Sequence, residues 1–584
     1  MRFSERHEVS GLSAPFTHSC RRLICPDAYQ VTTALPSVAI RSTRRCCKRM
    51  NICHILTEQA AERPNQPAII EGAGKRTRSV TFAQLAERSA KAAALLRLSG
   101  LTQGDRILLF QPISIELYVA LLSIFRLGLV ATVLDPSAGR RHIEQCCEIA
   151  RPKAFLGPAR AHLLRFLCRS VRRIECHLVT TAWAPSAIRW SKLDRLNPLD
   201  SIATCLSSHD ALLTFTSGST GIPKAAVRSH GFLRAQHEVL AASIDLEPQE
   251  VDLPTLPIFV LANLASGVTF VIPQCDLRKP GFIEPGPVLA QLQHHQVTRT
   301  VGSPALYNRL LEGVRSIAGN ENERQEVRLG PLRKLYTGGA PVFPRLLQEL
   351  RAAMPKGHVI VVYGSTEAEP ISHLNWDEAS DRDRVGMYAG KGLLVGKPVN
   401  QIRLRIVDNR WGEPLPDMNA NEFVKLELPP MRRGEIVVNG PHVLTGYLNG
   451  VGDEETKFRV DDEIWHRTGD AGYLDKEGRL WLLGRAGAVI RDERGTIYPF
   501  AVECAASQLN WIERSALASL NGERLLAVQM KPGIPAAAEH KTLTTLSWAR
   551  LDRVVSIPRI PVDRRHNAKV DYTSLIKQLK RHVS

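Results

Sequence analysis

The chain has 584 residues, of which 44% are hydrophobic, and carries a formal net charge of +18. This length exceeds what one hydrophobic core supports, so the sequence predicts at least two domains. Its longest apolar runs, such as 118–125 and 256–264, fall well short of the roughly 20 residues that span a bilayer. The basic residues are scattered and aromatics make up only 6%, which favours a generally basic surface over a nucleic-acid site. We therefore expect no nucleic-acid partner and no transmembrane segment.

The N-terminal segment and the cysteines indicate how the chain is organised and where it works. Residues 1–49 are rich in arginine, poor in acids and without a helical period, whereas Met50 opens a segment typical of a domain start. We expect residues 1–49 to be a disordered extension or an over-extended gene start. Twelve cysteines in a chain this long are too sparse for a disulfide scaffold, which predicts a cytoplasmic protein.

Strand and helix patterns alternate from residue 55 onward. The predicted strands lie at 68–70, 106–110, 130–134, 154–156, 211–215, 268–272, 299–301, 334–336 and 359–362, and the predicted helices at 81–98, 115–127, 141–149 and 345–354. Such alternation predicts parallel sheets covered by helices. Short strands follow from residue 402, and a strand is predicted near 525–530. The expected fold is α/β: a large N-terminal domain of parallel α/β sheets with a β subdomain (50–484) and a small mobile α+β C-terminal domain (485–584).

A glycine- and hydroxyl-rich turn follows the predicted strand 211–215. It reads Thr216, Ser217, Gly218, Ser219, Thr220, Gly221, Ile222, Pro223, Lys224. Glycines let several backbone N–H groups approach one anion, while the hydroxyls add donors and the lysine adds charge. The Walker motif is absent from the sequence. The segment resembles the phosphate loop of the AMP-forming acyl-adenylating superfamily, which includes acyl-CoA synthetases, adenylation domains of peptide synthetases and luciferases, and which uses ATP.

Further motifs match that superfamily in the same order. The resemblance implies that Tyr363 and Gly364 contact adenine, that Thr366 contacts the α-phosphate, and that Glu367 holds Mg²⁺, a cation that prefers oxygen ligands. It also implies an adenine-lining turn, a ribose-binding carboxylate, a hinge arginine and a catalytic lysine near the C-terminus; these are Gly338, Gly339 and Ala340, then Asp470, Arg485 and Lys569. A helix-entry turn with Pro341 at its first position is an alternative explanation of the glycine turn.

Three segments resemble the β-lactone synthetases of bacterial olefin biosynthesis, namely 251–257, 302–306 and 563–569. These enzymes adenylate a long-chain β-hydroxy acid, whose own hydroxyl then closes the ring. The resemblance implies a small-molecule carboxylic acid as substrate, an acyl pocket including Phe259, Val260 and Ser303, and other enzymes of a lipid or olefin pathway as partners. Gly487 departs from the family pattern, in which Asp or Lys stands at this hinge position.

Three alternatives remain open from the sequence. The first is an acyl-CoA ligase that uses CoA as the acceptor of the acyl group. The second is an adenylation domain that serves a carrier protein. The third is a nucleotide-binding pseudoenzyme, against which the presence of Glu367 and Lys569 argues.

Overall fold

A large mixed sheet dominates the computed structural model, which describes residues 50–583 except 73, 75–76, 135–138, 218–222, 318–328, 536 and 564–568. From one edge to the other, the strands of this large sheet are Arg403–Val407, Gly434–Asn439, Glu463–Leu474, Leu480–Arg485, Leu393–Pro398, Ala368–Asn375, His358–Ser365, Lys334–Gly338, Arg299–Gly302, Val251–Asp252, Thr269–Val271, Pro67–Glu71 and Arg78–Thr81, with Lys457–Val460 paired to Glu463–Leu474. Pairing is parallel from His358–Ser365 to Pro67–Glu71. The remaining pairs are antiparallel. The short strands predicted from residue 402 therefore extend the parallel sheet.

A second sheet has seven strands. Their order is Ile188–Arg189, Cys176–Val179, Ala154–Gly157, Arg106–Leu109, Val130–Val133, Asp210–Ser217 and Pro223–Ser229. All neighbours pair in parallel except the last two strands, which form a hairpin. The carboxyl ends of the parallel strands lie at one edge of the sheet, where α/β folds place their ligands.

Helices cover both sheets. Their bounds are Cys53–Glu62, Phe82–Leu98, Ile115–Arg126, Arg140–Ala150, Leu164–Leu167, Arg169–Arg172, His230–Ser243, Pro257–Ala265, Pro285–His294, Pro304–Ile317, Pro344–Ala353, Asp381–Gly386, Ala420–Leu426, Asp453–Thr456, Pro499–Ala506, Ala537–Thr545 and Tyr572–Val583. Local sequence determines where helix His230–Ser243 begins. The Ser229 hydroxyl accepts the N–H of Phe232 at 3.1 Å, which satisfies a backbone donor of the first turn that has no partner within the helix. Within the described residues, no helix is long and apolar enough to cross a membrane.

The C-terminal part contains a small sheet of its own. Strands Ile512–Leu520 and Glu523–Met530 are antiparallel, and Arg553–Ser556 joins the second of them in parallel. Alternate residues face opposite sides, so Leu526 packs in one core and Leu525 in another, with helix Tyr572–Val583 covering the second. The domain boundary between residues 484 and 485 stays a prediction.

The predicted α/β fold is confirmed, and the start of one helix differs in detail. The helix predicted at 81–98 begins at Phe82, because Thr81 is the last residue of strand Arg78–Thr81. The β-branched Val80 is buried opposite Ile69 in this strand pair. Thr81 then caps the helix with a reciprocal hydrogen-bond pair to Gln84.

Candidate active site

One cleft of about 2020 Å³ collects most of the predicted site residues. Those that line it are Thr216, Lys224, Gly339, Ala340, Tyr363, Gly364, Thr366, Glu367, Asp470, Arg485 and Lys569. They come from both large sheets and from the C-terminal part of the chain. Residues separated by more than 300 positions in sequence thus share one cavity, with polar groups converging as in a ligand site.

Two paired strands lie on either side of the predicted phosphate loop. Strand Asp210–Ser217 pairs with Pro223–Ser229 in antiparallel register, with Thr216 opposite Lys224. A strand follows the turn, and Gly218, Ser219, Thr220 and Gly221 lie outside the described residues. The Lys224 side chain is buried, and its ammonium donates to Glu455 Oε2 at 2.5 Å. An anion in this cleft would therefore compete with Glu455 for that ammonium.

Thr366 and Glu367 follow the carboxyl end of the central strand His358–Ser365. The Arg228 guanidinium holds this turn, donating to the Thr366 carbonyl at 2.7 Å and to Thr214 Oγ1 at 2.6 Å. The Leu444 N–H donates to the Glu367 carbonyl at 2.7 Å. Such bonds fix the turn before any ligand binds, which reduces the ordering cost of binding.

The Glu367 carboxylate is held ionised by its surroundings. Burial alone would raise its pKa, but electrostatic interactions with His466 and Lys457 and a hydrogen bond from Tyr447 outweigh burial and lower the pKa. The Tyr447 hydroxyl donates to Glu367 Oε1 at 2.7 Å. An ionised carboxylate beside the Ser365 and Thr366 oxygens offers the hard ligands that Mg²⁺ accepts.

A buried lysine and histidine lie behind Glu367, and sequence reasoning missed them as site residues. Lys457 Nζ donates to the Leu444 carbonyl and lies 3.1 Å from His466 Nδ1. Burial lowers the pKa of Lys457 to about 8, and burial together with Lys457 lowers that of His466 to about 3. Lys457 gave no signal, because a lysine in a short strand normally faces solvent. His466 stands in the Trp465-His466-Arg467 stretch before the ribose motif.

The predicted ribose carboxylate is preorganised by two donors. Asp470 and Arg485 are register partners on adjacent strands, and Arg485 Nη1 donates to Asp470 Oδ1 at 2.9 Å. The Tyr363 hydroxyl donates to Asp470 Oδ2 at 2.9 Å. The charge of Asp470 is the main reason why the pKa of Arg485 is raised. The motifs predicted to contact adenine and ribose are therefore joined by hydrogen bonds.

The glycine turn predicted to line adenine is sterically specific. A Cβ at Gly338 would overlap the Val362 carbonyl oxygen, and Gly339 has φ +75°, a conformation that side chains disfavour. The next helix begins at Pro344, with this proline in its first turn. The alternative with Pro341 as the first helical residue is therefore wrong, because residues 341–343 continue the turn.

The three residues predicted to line the acyl pocket are not in the cleft wall. Phe259 and Val260 lie on helix Pro257–Ala265 and are 1% exposed, each packed in a different core cluster. Ser303 is also buried, whereas the residues that follow it, Pro304 and Ala305, line the cleft. An acyl role for Phe259, Val260 and Ser303 stays a prediction.

Lys569 is exposed and reaches the cleft from a C-terminal loop. Two backbone contacts hold this residue: its N–H donates to Asp563 Oδ1 at 2.9 Å, and its carbonyl accepts the Asp563 N–H at 2.8 Å. Its catalytic role stays a prediction.

Fold and cleft together define an α/β protein with a polar cleft lined by two large sheets and by the C-terminal part of the chain. The chain belongs to the AMP-binding enzyme family, whose sequence profile matches residues 56–448. It is accordingly an AMP-forming acid ligase or synthetase, which uses ATP to activate a carboxylic acid as an acyl-adenylate.

Named relatives refine this assignment. An olefin beta-lactone synthetase of Xanthomonas campestris pv. campestris is 31% identical over 551 residues, spanning 89% of this chain and 96% of the relative. A 4-coumarate–CoA ligase of Petroselinum crispum is 25% identical over 75% of this chain and 76% of its own length. ATP-bound MatB from Rhodopseudomonas palustris shares the fold, with a TM-score of 0.74 and 21% identity over 91% of this chain and 99% of that structure.

Proposed function

We propose that this enzyme adenylates a long-chain β-hydroxy fatty acid and releases a β-lactone. The observation that carries the adenylation step is the cleft that gathers the phosphate-loop residue Lys224, the carboxylates Glu367 and Asp470, and Lys569. The β-lactone product is favoured by the similarity to an olefin beta-lactone synthetase along nearly the whole chain.

In the first step, one oxygen of the substrate carboxylate attacks the α-phosphorus of ATP. A bond forms between that oxygen and phosphorus, the bond to the β-phosphate breaks, and pyrophosphate leaves. We propose that Lys569 lies between the two anions and offsets their repulsion as charge develops. Lys224 holds phosphate oxygens after exchanging its contact with Glu455, and Asp470 accepts the ribose hydroxyl protons.

In the second step, the β-hydroxyl oxygen attacks the acyl carbon of the adenylate. The new C–O bond closes a four-membered ring, the acyl–phosphate bond breaks, AMP leaves and the hydroxyl proton is released. Positioning accounts for much of the rate of such an intramolecular step. Transfer to CoA is the second candidate, because the chain is also similar to CoA ligases.

Magnesium fits the residues around Glu367. Within the described residues, no cluster of three His, Cys, Asp or Glu side chains could hold a metal by itself. Mg²⁺ is commonly bound by one or two carboxylates together with substrate phosphates and water. We propose that Glu367 contributes the protein carboxylate and that the cation neutralises charge on the phosphates of ATP.

We also propose a cellular location and partner enzymes for this protein. The eight cysteines in the described part of the chain are free thiols, which supports a cytoplasmic location. We also propose that other enzymes of a lipid or olefin pathway supply the hydroxy acid and consume the lactone.

Product analysis tests the proposal. The purified enzyme is incubated with MgATP and either a long-chain fatty acid or its β-hydroxy analogue, each with and without CoA, and products are identified by mass spectrometry. We expect AMP and a lactone from the hydroxy acid without CoA. A CoA-dependent thioester would instead establish the ligase, and the absence of AMP with every acid would overturn adenylation of this substrate class.

A further inference from the structure

Four large hydrophobic side chains are exposed on two segments that follow neighbouring strands of the seven-stranded sheet. Leu163, Phe166, Leu167 and Trp183 are 60, 69, 57 and 58% exposed. The first three belong to one turn around helix Leu164–Leu167. The Arg165 guanidinium donates to the Pro185 carbonyl at 2.5 Å, which ties that helix to the loop carrying Trp183. We name these four side chains the apolar patch.

The segment that carries Leu163, Phe166 and Leu167 packs on the core through its other side. On the inner side of the same segment, Cys168 and Val171 are fully buried in a core cluster with Phe155. The Arg172 side chain donates to the carbonyls of Arg165 and Phe166, at 2.9 and 3.0 Å. The segment is therefore anchored from below, and the hydrophobic side chains above it face solvent. Large apolar side chains that stay exposed in neighbouring segments are typical of interaction sites.

Arginines predominate in the segment that carries the apolar patch. Between residues 158 and 183 the chain has five arginines and one acid, Glu175. The arginines are Arg160, Arg165, Arg169, Arg172 and Arg173. None of the five guanidinium groups forms an ion pair with a carboxylate in the described part of the chain, although the Glu144 carboxylate accepts the backbone N–H of Arg169 at 3.0 Å. The charges are thus available to an anionic partner.

The position of the patch relates it to the cleft. The first three residues of the patch come after strand Ala154–Gly157, and the predicted phosphate loop comes after strand Asp210–Ser217. Both strands run parallel in the seven-stranded sheet with two strands between them. Their carboxyl ends therefore leave the same edge, about 14 Å apart at ordinary strand spacing.

We propose that the apolar patch and its arginines bind the surface of an anionic lipid bilayer. Aromatic and aliphatic side chains enter the headgroup boundary while arginines contact lipid phosphates, which is how peripheral segments bind membranes. A tryptophan beside arginines suits this boundary. Docking of this kind would bring the cleft edge of the sheet toward a source of long-chain acids. The proposal goes beyond the adenylation chemistry and does not depend on it.

Vesicle sedimentation without nucleotide tests the proposal on the full chain. We expect binding to phosphatidylglycerol-containing vesicles and little binding to pure phosphatidylcholine. Phe166→Ser with Trp183→Ser should weaken binding about tenfold or more. Arg169→Gln with Arg173→Gln should weaken it about 25-fold, since each basic residue near an anionic surface contributes roughly fivefold. The matched control is Val424→Ser with Arg432→Gln, exposed residues elsewhere, which should bind as the unmodified protein does.

Three outcomes would overturn the proposal. The first is that the unmodified chain fails to sediment with anionic vesicles, and the second is that both patch variants bind them unchanged. The third is that the patch variants bind vesicles as the unmodified chain does but differ from it in the mass of the protein in solution, measured by light scattering. This result would make the surface a contact between copies of the chain. AMP release with a short soluble acid, measured on every variant, tests folding and reports the proposed function separately. Circular dichroism melting provides a second check of folding.

Discussion

Two regions of the cleft are built differently: the proposed nucleotide face, which carries Glu367 and Asp470, and the C-terminal segment, which carries Lys569. On the nucleotide face, Asp470 is held by Tyr363 and Arg485, and Glu367 by Tyr447. Lys569 is exposed and held through backbone contacts with Asp563. The first region is held by hydrogen bonds between its own side chains, whereas the second contributes the exposed, positively charged side chain of Lys569. This contrast suggests that ATP binding and carboxylate activation can be separated by mutation.

Lys569→Ala should have the largest effect on this contrast. We expect adenylation to fall about 10²- to 10³-fold, because a positive charge near the transition state is lost. ATP affinity should stay within a few-fold, since the nucleotide contacts lie elsewhere. Pyrophosphate exchange and ATP titration measure the two quantities. Lys577→Ala, an exposed lysine on the last helix, is the control; equal rates for both variants would remove Lys569 from the mechanism.

Glu503→Gln tests whether the C-terminal region is sensitive to pH. Burial raises the pKa of Glu503 to about 8, despite a hydrogen bond from the Leu517 N–H. The ordinary pKa of a glutamate side chain is about 4.5. Between this pH and about pH 8, the folded protein therefore keeps a proton on Glu503 that the unfolded chain loses, so the free energy of unfolding falls as pH rises through this window.

The glutamine variant should not show this loss. The difference in the free energy of unfolding between the variant and the unmodified protein should shift in favour of the variant by about 3 kcal/mol when pH is raised from 5 to 7.5. Thermal melting at both pH values measures the difference. Glu493→Gln, at an exposed position of the same region, should melt like the unmodified protein; an equal gain in this control would contradict the assignment to Glu503.

Glu367→Gln tests the proposed magnesium ligand on the nucleotide face. Losing the carboxylate charge should lower kcat/KM about 10- to 100-fold at low Mg²⁺, with partial recovery at higher Mg²⁺. A magnesium titration of AMP formation measures this. Glu378→Gln, an exposed residue nearby in sequence, is the control. A loss that is independent of magnesium would assign Glu367 a structural role only.

Asp470→Asn tests the ribose contact. The variant keeps the shape of the side chain but loses the charge that pairs with Arg485, so we expect ATP to bind about tenfold more weakly. Calorimetric titration of ATP gives the affinity. Asp461→Asn is the control, because Asp461 is exposed and its φ of +49° suits asparagine. Unchanged affinity at Asp470→Asn would separate this carboxylate from the nucleotide.

Gly487→Ala tests the junction between the two regions and should have the smallest effect. A Cβ at Gly487 would lie 3.0 Å from Trp411 Cδ1, closer than ordinary contact. If the C-terminal part moves between the two steps, we expect product release to slow a few-fold with adenylation unchanged. Single-turnover kinetics separates the steps. Adding Trp411→Phe should restore the rate; failure to restore it would exclude this contact as the cause.

The site was only partly predictable, because local motifs and distant contacts carry different information. The residues around 216–224, 363–367 and 468–470 were predicted from short glycine-, hydroxyl- and carboxylate-bearing segments. Glu455 pairs with Lys224 across 231 positions, and Tyr447 reaches Glu367 across 80. No spacing in the sequence relates such pairs, so they could not be predicted.

The apolar patch shows the same limit at the surface. Its leucines and phenylalanine were indistinguishable in sequence from core residues, because a four-residue helix has no readable period. Only the packing of Cys168 and Val171 beneath it shows which side chains remain outside.

By itself, the sequence determined the α/β order of elements, the glycine- and hydroxyl-rich segment at 216–224 and the order of the motifs that resemble the adenylating family, because backbone preferences and short-range chemistry act over a few residues. The tertiary structure decided which distant side chains meet: Tyr447, Lys457 and His466 around Glu367, and Lys569 at the cleft. It also decided which hydrophobic residues stay exposed. Burial, charge and distance depend on how two sheets and a C-terminal unit pack, and no local pattern encodes that packing.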